Sequence, residues 1–229
     1  ILAGSVAVGP QDTTSWAVAS NYQHTFSSTL FNELRVGDTR RAVERRAVAL
    51  PSAAGAVLDL PGLPATGQFA TTLPTFAPNG YQQIGSPGNT ASDFSTGVTQ
   101  IADSLTWLKG RHTVKAGFDW RWARLDVVQP PWPTGQFVFS AVGSDLPGVA
   151  GTGNAFASFL LGQVQTFAID LQQTEIQERA RIQEYFVQDD WTLSDRVTVN
   201  AGLRYTLNFP STEINGQTAV FNLQTRQLE

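Results

Sequence analysis

The stretch YFVQDDWTLSDRVTVNAGLRY, Tyr185 to Tyr205, decides how the rest of the chain is read. In its second half Val197, Val199, Ala201, Leu203 and Tyr205 fall on one parity, and Thr198, Asn200, Gly202 and Arg204 on the other. Successive side chains of a β-strand point to opposite faces, so this is a strand with one apolar and one polar side. In the first half Tyr185, Val187 and Trp191 share a parity that only Asp189 breaks. Leu193-Ser194-Asp195-Arg196 between the halves reads as a turn. The segment is a β-hairpin with arms of about nine residues, the length and pattern of an antiparallel pair that crosses a bilayer.

The same alternation recurs upstream. Trp16, Val18, Tyr22 and Phe26 share one face of a first strand, with Ser20 and His24 among them. After the turn candidate Ser27-Ser28, Leu30, Leu34 and Val36 oppose Glu33 and Arg35 on a second strand. Ile101, Leu105 and Trp107 oppose Gln100, Ser104 and Thr106, and the turn Lys109-Gly110-Arg111 leads into the cleanest strand of the chain. There Val114, Ala116, Phe118, Trp120 and Trp122 face one way and Thr113, Lys115, Gly117, Asp119 and Arg121 the other. Aromatics clustered where strands leave hydrocarbon form the girdles of membrane barrels, and Trp16, Trp107, Phe118, Trp120, Trp122, Trp191 and Tyr205 are the girdle candidates on the lipid side. Shorter runs place strands at 136–141 and 163–172, which brings the expected set to eight: 15–26, 29–38, 95–108, 112–124, 136–141, 163–172, 177–192 and 197–209.

Between the strands the character changes. Residues 1–14 read as a loop, and 39–93 as a long one, with Arg40, Arg41, Arg45 and Arg46 followed by Pro51, Pro61, Pro64, Pro74, Pro78 and Pro87. Loops of that length are uncommon in a compact domain and usually functional. Asn154 caps a short helix over Ala155 to Leu161 that Gly162 stops, either a plug at a barrel rim or a packed turn. Gln172 to Glu178 is a polar connection, and the last twenty residues carry Pro210 and an Asn215-Gly216 turn. Short turns on one rim and long loops on the other are how outer-membrane barrels are arranged, periplasm against exterior.

Composition agrees. Charged residues make up 15% and hydrophobic residues 41%, against about 25% charged in ordinary soluble domains. A wall with lipid outside and a wet lumen inside needs no coat of Lys and Glu. The net charge of −4 argues against nucleic acid as a partner. No run of apolar residues is long enough for a membrane-spanning helix, and the absence of cysteine excludes disulfides and thiolate metal sites.

Chemistry-bearing residues are few. Glu33, Arg35, Lys115, Asp119, Arg121 and Arg204 all lie on polar parity and are the lumen-facing candidates. Mutual ion pairing along a wet wall is the first reading of them, and contact with a plug or passing solute the second. His24 and His112 fall on the lipid-side parity close to short turns and read as headgroup-level residues; a zinc site here would need carboxylates from distant strands. Asp189 and Asp190 point to opposite faces and cannot act on one substrate atom. No Ser-His-Asp spacing, P-loop or Rossmann glycine pattern is present, so neither an enzyme, a cofactor nor a metal centre is expected.

Four segments in order, HTFSSTLFNELRVG (24–37), DSLTWLKGRHTVKAGFDWR (103–121), GNAFASFLLG (153–162) and the 185–205 hairpin, resemble the barrel of TonB-dependent outer-membrane receptors, Oar-like branch. The resemblance implies a barrel of about 22 strands with a plugged lumen in the outer membrane of a Gram-negative bacterium, driven through the TonB complex. It implies a large solute as cargo, taken up or exported, and outer-membrane lipid, the plug and the remaining barrel as partners. No plug domain or TonB box is visible, about eight strands are, and the last residue is Glu229. The expectation is therefore one domain, 1–229: an all-β, antiparallel, up-and-down transmembrane barrel in part, an internal piece of a longer receptor whose loop 39–93 faces outside. Two alternatives are a soluble all-β binding or adhesion domain, a β-sandwich with the same strands buried, and a self-contained eight-stranded barrel.

Overall fold

Six long strands, joined at one end by two-residue turns, carry the architecture. In a computed structural model the structure describes residues 9–171 and 174–228. In chain order the elements are β1 (Gln11–Ser27), β2 (Leu30–Arg45), α1 (Ala54–Leu58), β3 (Thr75–Pro78), β4 (Ser92–Lys109), β5 (His112–Val128), β6 (Gln136–Phe139), α2 (Ala155–Leu160), β7 (Thr166–Ala168), β8 (Ile176–Ser194), β9 (Val197–Glu213), β10 (Phe221–Asn222) and β11 (Gln227–Leu228). The long strands form one open sheet in the order β1-β2-β4-β5-β8-β9, with β1 and β9 at its edges.

Every neighbouring pair in that sheet is antiparallel. Two-residue turns join β1 to β2, β4 to β5 and β8 to β9. Leu108 N–H donates to Thr29 C=O and the Thr39 hydroxyl to Val98 C=O, so β2 and β4 run in opposite directions. Thr192 N–H donates to Arg111 C=O while Arg121 pairs with Glu184, which does the same for β5 and β8. In the β8–β9 pair Tyr185 faces Tyr205, Val187 faces Leu203 and Trp191 faces Val199 on one side, while Phe186 faces Arg204 and Asp190 faces Asn200 on the other. The two-faced ribbon inferred from alternation is thus a two-faced sheet. The fold is all-β, its wall antiparallel and up-and-down, a partial barrel with two short α-helices among the described residues: the expected one, at Ala155–Leu160, and a second at Ala54–Leu58.

The strands differ from expectation in extent. The arms of the 185–205 hairpin have 19 and 17 residues rather than about nine. Only the part nearest the turn alternates cleanly. Farther out, charged pairs such as Glu178 opposite Glu213 continue the ladder, because backbone hydrogen bonding does not need an apolar face. The shift between Arg179 and Arg181 accommodates Pro210 on the partner strand. For the same reason β1 begins at Gln11, inside the presumed loop, β2 continues to Arg45, and β4 starts at Ser92. Residues 1–8, expected as loop, Gln172, expected where the 163–172 strand meets the polar connection, Gln173 in that connection, and Glu229 at the end lie outside the described residues.

Two expected wall strands belong elsewhere. Residues 136–141 and 163–172 yield the short β6 and β7, which join β3 in a separate three-stranded sheet of order β3-β6-β7. The wall therefore has six strands where eight were expected. A four-residue run alternates as readily in a small sheet as in a barrel, so parity alone does not assign it. β6 lies parallel to β3, Thr75 to Gln136 through Pro78 to Phe139, and antiparallel to β7.

The chain forms two compact units. The first takes the described residues of Ile1–Thr13, Val43–Phe94 and Val127–Glu175, and so gathers both long connections. The loop 39–93 is accordingly not an unstructured span. Its prolines deny backbone donors and break long ladders, and it folds instead around small residues: Ala47, Phe69, Ala91 and Val128 form a core. Two buried threonine hydroxyls are matched, Thr134 donating to Thr72 C=O at 2.8 Å and Thr75 to Ser86 C=O. Gly85 adopts φ +91°, and a β-carbon there would collide with the Pro74 carbonyl. Asn154 caps α2 by accepting from Phe156 N–H at 2.8 Å and Ala157 N–H at 3.2 Å. Phe159 then packs on Phe76 and Phe139. Of the two roles expected for this helix, the packed turn is the one seen.

The second unit takes Thr14–Ala42, Ser95–Asp126 and the described residues of Ile176–Glu229. Among the described residues of this unit no second sheet covers the apolar face, which a β-sandwich requires. At the far end of β9, Glu213 accepts backbone N–H bonds from Gln217 and Asn215, both at 2.8 Å, and from Gln177 at 3.1 Å. These donors, Gln217 first, hold its carboxylate below the usual glutamate range. A depressed folded-state pKa stabilises the turn above the ordinary glutamate value of about 4.3 and ceases to do so as the pH falls below it. The protection of the Asn215 and Gln217 amides, their exchange measured against the intrinsic rate at the same pH, is expected to fall over that acid window in the native chain. Glu213→Gln should exchange faster at neutral pH and lose the acid dependence; an unchanged profile would show that the carboxylate does not order the turn.

Candidate functional site

Strand parity delivers six charged side chains to one face, and register brings them together. Glu33 and Arg35 on β2, Lys115, Asp119 and Arg121 on β5, and Arg204 on β9 all line one groove of about 200 Å³. Glu184 and Phe186 of β8 complete it. Neither was among the sequence candidates, although Glu184 shares the polar parity of its strand; Phe186 is an aromatic on that same parity.

The charges are largely paired. Arg35 Nη2 lies 2.7 Å from Glu33, which also accepts from Asn21 and Gln23 on β1. Arg121 Nη2 lies 2.9 Å from Asp119 and 3.3 Å from Glu184. Glu184 in turn lies 3.8 Å from Arg204 Nη1, and the Arg204 guanidinium stands 5.8 Å over the Phe186 ring. Gln100 donates to Asp119 at 2.7 Å. The groove is lined by four cationic groups, Arg35, Lys115, Arg121 and Arg204, and by four acidic residues, Glu33, Asp103, Asp119 and Glu184. Lys115 has no hydrogen bond or ion pair among the described residues, and it also lines an adjoining cavity of about 310 Å³ with Gln23, Thr25 and Thr106. A third cavity of about 360 Å³ shares Arg35 and Asp119 with the groove. The polar face is therefore a continuous trough with a ladder of satisfied ion pairs and one spare ammonium. Such a surface binds water, polar protein segments or the anionic groups of a solute; it contains no nucleophile–base pair.

The opposite face carries the girdle candidates. Trp107 and Trp191 sit next to the two-residue turns, and Trp16 and Trp122 toward the other strand ends. Trp120 connects the rings, 4.7 Å from Phe118, 6.3 Å from Trp122 and 6.2 Å from Tyr185, whose strand partner is Tyr205. Asp189, the exception in the alternation, is explained across strands: its carboxylate lies 2.6 Å from His112 Nδ1, and His112 stacks on Trp191 at 5.2 Å. His24 lies against Tyr22 and edge-on to Phe26. Asp190 faces Asn200 on the other side of the sheet, apart from Asp189.

A family model described as "Outer membrane beta barrel domain" matches residues 3–229. No curated protein and no solved structure matches the chain.

The pairing geometry sets an energetic expectation. Arg121 and Glu184 are 37% and 18% exposed, so screening keeps their coupling small. A double-mutant cycle with Arg121→Gln and Glu184→Gln, read from urea unfolding in detergent, should give a coupling of about 0.5 kcal/mol. Lys115→Gln should shift stability by no more than about 0.5 kcal/mol, since no partner is lost. A coupling above about 2 kcal/mol would mark the groove as a desolvated ion-pair site instead.

Proposed function

The chain belongs to the outer membrane beta barrel domain family, and from that premise we propose that it is part of the wall of a TonB-dependent receptor of the Oar-like branch. In this reading it carries no catalysis of its own. It contributes to a plugged barrel that moves a large solute across the outer membrane with energy supplied through TonB. The apolar face meets lipid, the trough of Glu33, Arg35, Lys115, Asp119, Arg121 and Arg204 lines the lumen, and loop 39–93 meets the solute outside.

One observation carries the reading: adjacent residues of β9 alternate between a large uncovered hydrophobe and a charge. Leu203 is 71% exposed and Tyr205 59%, while Arg204 between them joins the charged groove. An uncovered apolar face of this extent has no place in water, and a strand that alternates in this way suits hydrocarbon on one side and a wet channel on the other. The four ordered motifs of the resemblance support the receptor assignment.

The reading is tested by photo-crosslinking from neighbouring positions in cells carrying the intact gene. A benzophenone side chain at Leu203 is expected to capture lipid. The same group at Arg204 is expected to capture a plug segment or the solute, with the solute adduct lost when the proton-motive force is collapsed. Lipid adducts from both positions, or protein adducts from both, would defeat the face assignment. An Arg204 adduct indifferent to energisation would defeat the TonB-driven step alone.

A further inference from the structure

The basic residues at the loop-side end of the apolar face are not absorbed by the lumen reading. Thr29 with Leu108 and Thr39 with Val98 fix the register between β2 and β4, and this register sets Arg40 opposite Gly97. The turn between Lys109 and His112 sets Gly97 opposite Arg124. Arg40, Gly97 and Arg124 thus form a row across three adjacent strands, all on the parity of Trp107, Trp120 and Trp122.

Gly97 is the floor of this row. It is buried, and a β-carbon there would lie 2.8 Å from Arg40 Cδ and 3.1 Å from Arg124 Nε. Two guanidinium groups therefore converge over a residue whose missing side chain makes room for them. Only one is neutralised. Arg40 pairs with Asp38 at 2.8 Å, and Asp38 accepts from Thr99 at 2.6 Å. Arg124 has no hydrogen bond or ion pair among the described residues, and its Nε is shut off from solvent without a partner. Bringing two like charges together with one carboxylate between them is unfavourable unless an anion completes the set.

The height of the row identifies the source of that anion. Trp107 lies opposite Val114 across the same turn, and ten residues separate Val114 from Arg124. That is about 34 Å along a strand and about 26 Å along the membrane normal at a tilt of about 40°, the height of a barrel's apolar band. The row sits where hydrocarbon gives way to headgroups, on the loop side.

We propose that Arg40 and Arg124, seated over Gly97, bind the phosphate of an anionic lipid headgroup in the outer leaflet. Two guanidinium forks grip a phosphate through paired N–H donors, and basic pockets at headgroup level recognise anionic lipids in this way. A free phosphate ion offers the same oxygens, but the lipid also lays acyl chains along the Phe118–Trp120–Trp122 face below. The site rests on the reading that this face meets lipid.

Native mass spectrometry of the full chain folded in detergent separates these cases. The probes are a bisphosphorylated lipid A, a zwitterionic phosphatidylethanolamine and inorganic phosphate, with heat-modifiable mobility as the control for folding. Lipid A adducts should persist at least tenfold more strongly on the native chain than on Arg40→Gln/Arg124→Gln, with Arg40→Lys/Arg124→Lys between them. Inorganic phosphate at equal concentration should not displace them. Gly97→Ala retains both charges but fills the floor of the row, and it should weaken the adduct too, which keeps the test informative if the double Gln variant does not fold. Undiminished lipid A binding by the variants that fold, or displacement by equimolar inorganic phosphate, overturns the proposal. Lipid capture at Leu203 would survive that failure, so the site and the face assignment fail independently.

Discussion

A backbone amide in hydrocarbon has to find its partner within protein, and that requirement governs this structure. Each unmet N–H or C=O in lipid costs several kcal/mol. A sheet meets the demand strand by strand, and the meander β1-β2-β4-β5-β8-β9 does so along its four interior strands. Its outer edges, β1 and β9, still present open ladders, which further strands have to cover for a closed barrel. The side-chain pattern follows: because the ladder is satisfied, each strand is free to give one face to apolar residues and the other to charges. Asp189 shows how far that freedom goes, since a carboxylate on the apolar parity is accommodated by His112 on the next strand.

Strand parity and short turns were legible in the sequence because both are local. Val197 to Tyr205 alternates without a fault, and the connections at 28–29, 110–111 and 195–196 leave room for nothing but tight turns. The candidate site was legible for the same reason, since six charges chosen by parity alone line one groove. What parity does not carry is register. The convergence of β5, β8 and β9 on Glu184, and the pairing of His112 with Asp189, depend on which residues stand opposite one another across separations of some sixty to eighty positions. Phe186 was no candidate, because parity gives no reason to place an aromatic on a polar strand face, where it serves as the ring beneath Arg204.

The long connections were the least legible part. Prolines and glycines mark these connections as breaks in the long ladders, but they also hide β3 at Thr75–Pro78 and the fact that the two segments fold together. Their core is built largely from alanine, threonine and serine, with Phe69 and Phe139 among its large buried side chains, so no hydrophobic period announces it. β3 of one connection pairs in parallel with β6 of the other, and parallel pairing between distant segments leaves no turn signal. A connection that folds around its own core presents fixed chemistry rather than a sweep of conformations.

The two faces of the sheet solve opposite electrostatic problems. On the polar face water is present, charges are cheap, and Arg35, Arg121 and Arg204 are paired with half-buried carboxylates in ion pairs of modest energetic value. On the apolar face each polar group has to be answered, and most are: Asn32 donates to Asp103 at 2.8 Å, Asp189 meets His112, and Asp38 holds Arg40. Arg124 breaks that rule. On the wet side an unpaired cation such as Lys115 is solvated and calls for no partner; on the lipid side an unpaired guanidinium persists only where the membrane itself supplies the anion. The same lack of a protein partner therefore means nothing on one face and points to a ligand on the other.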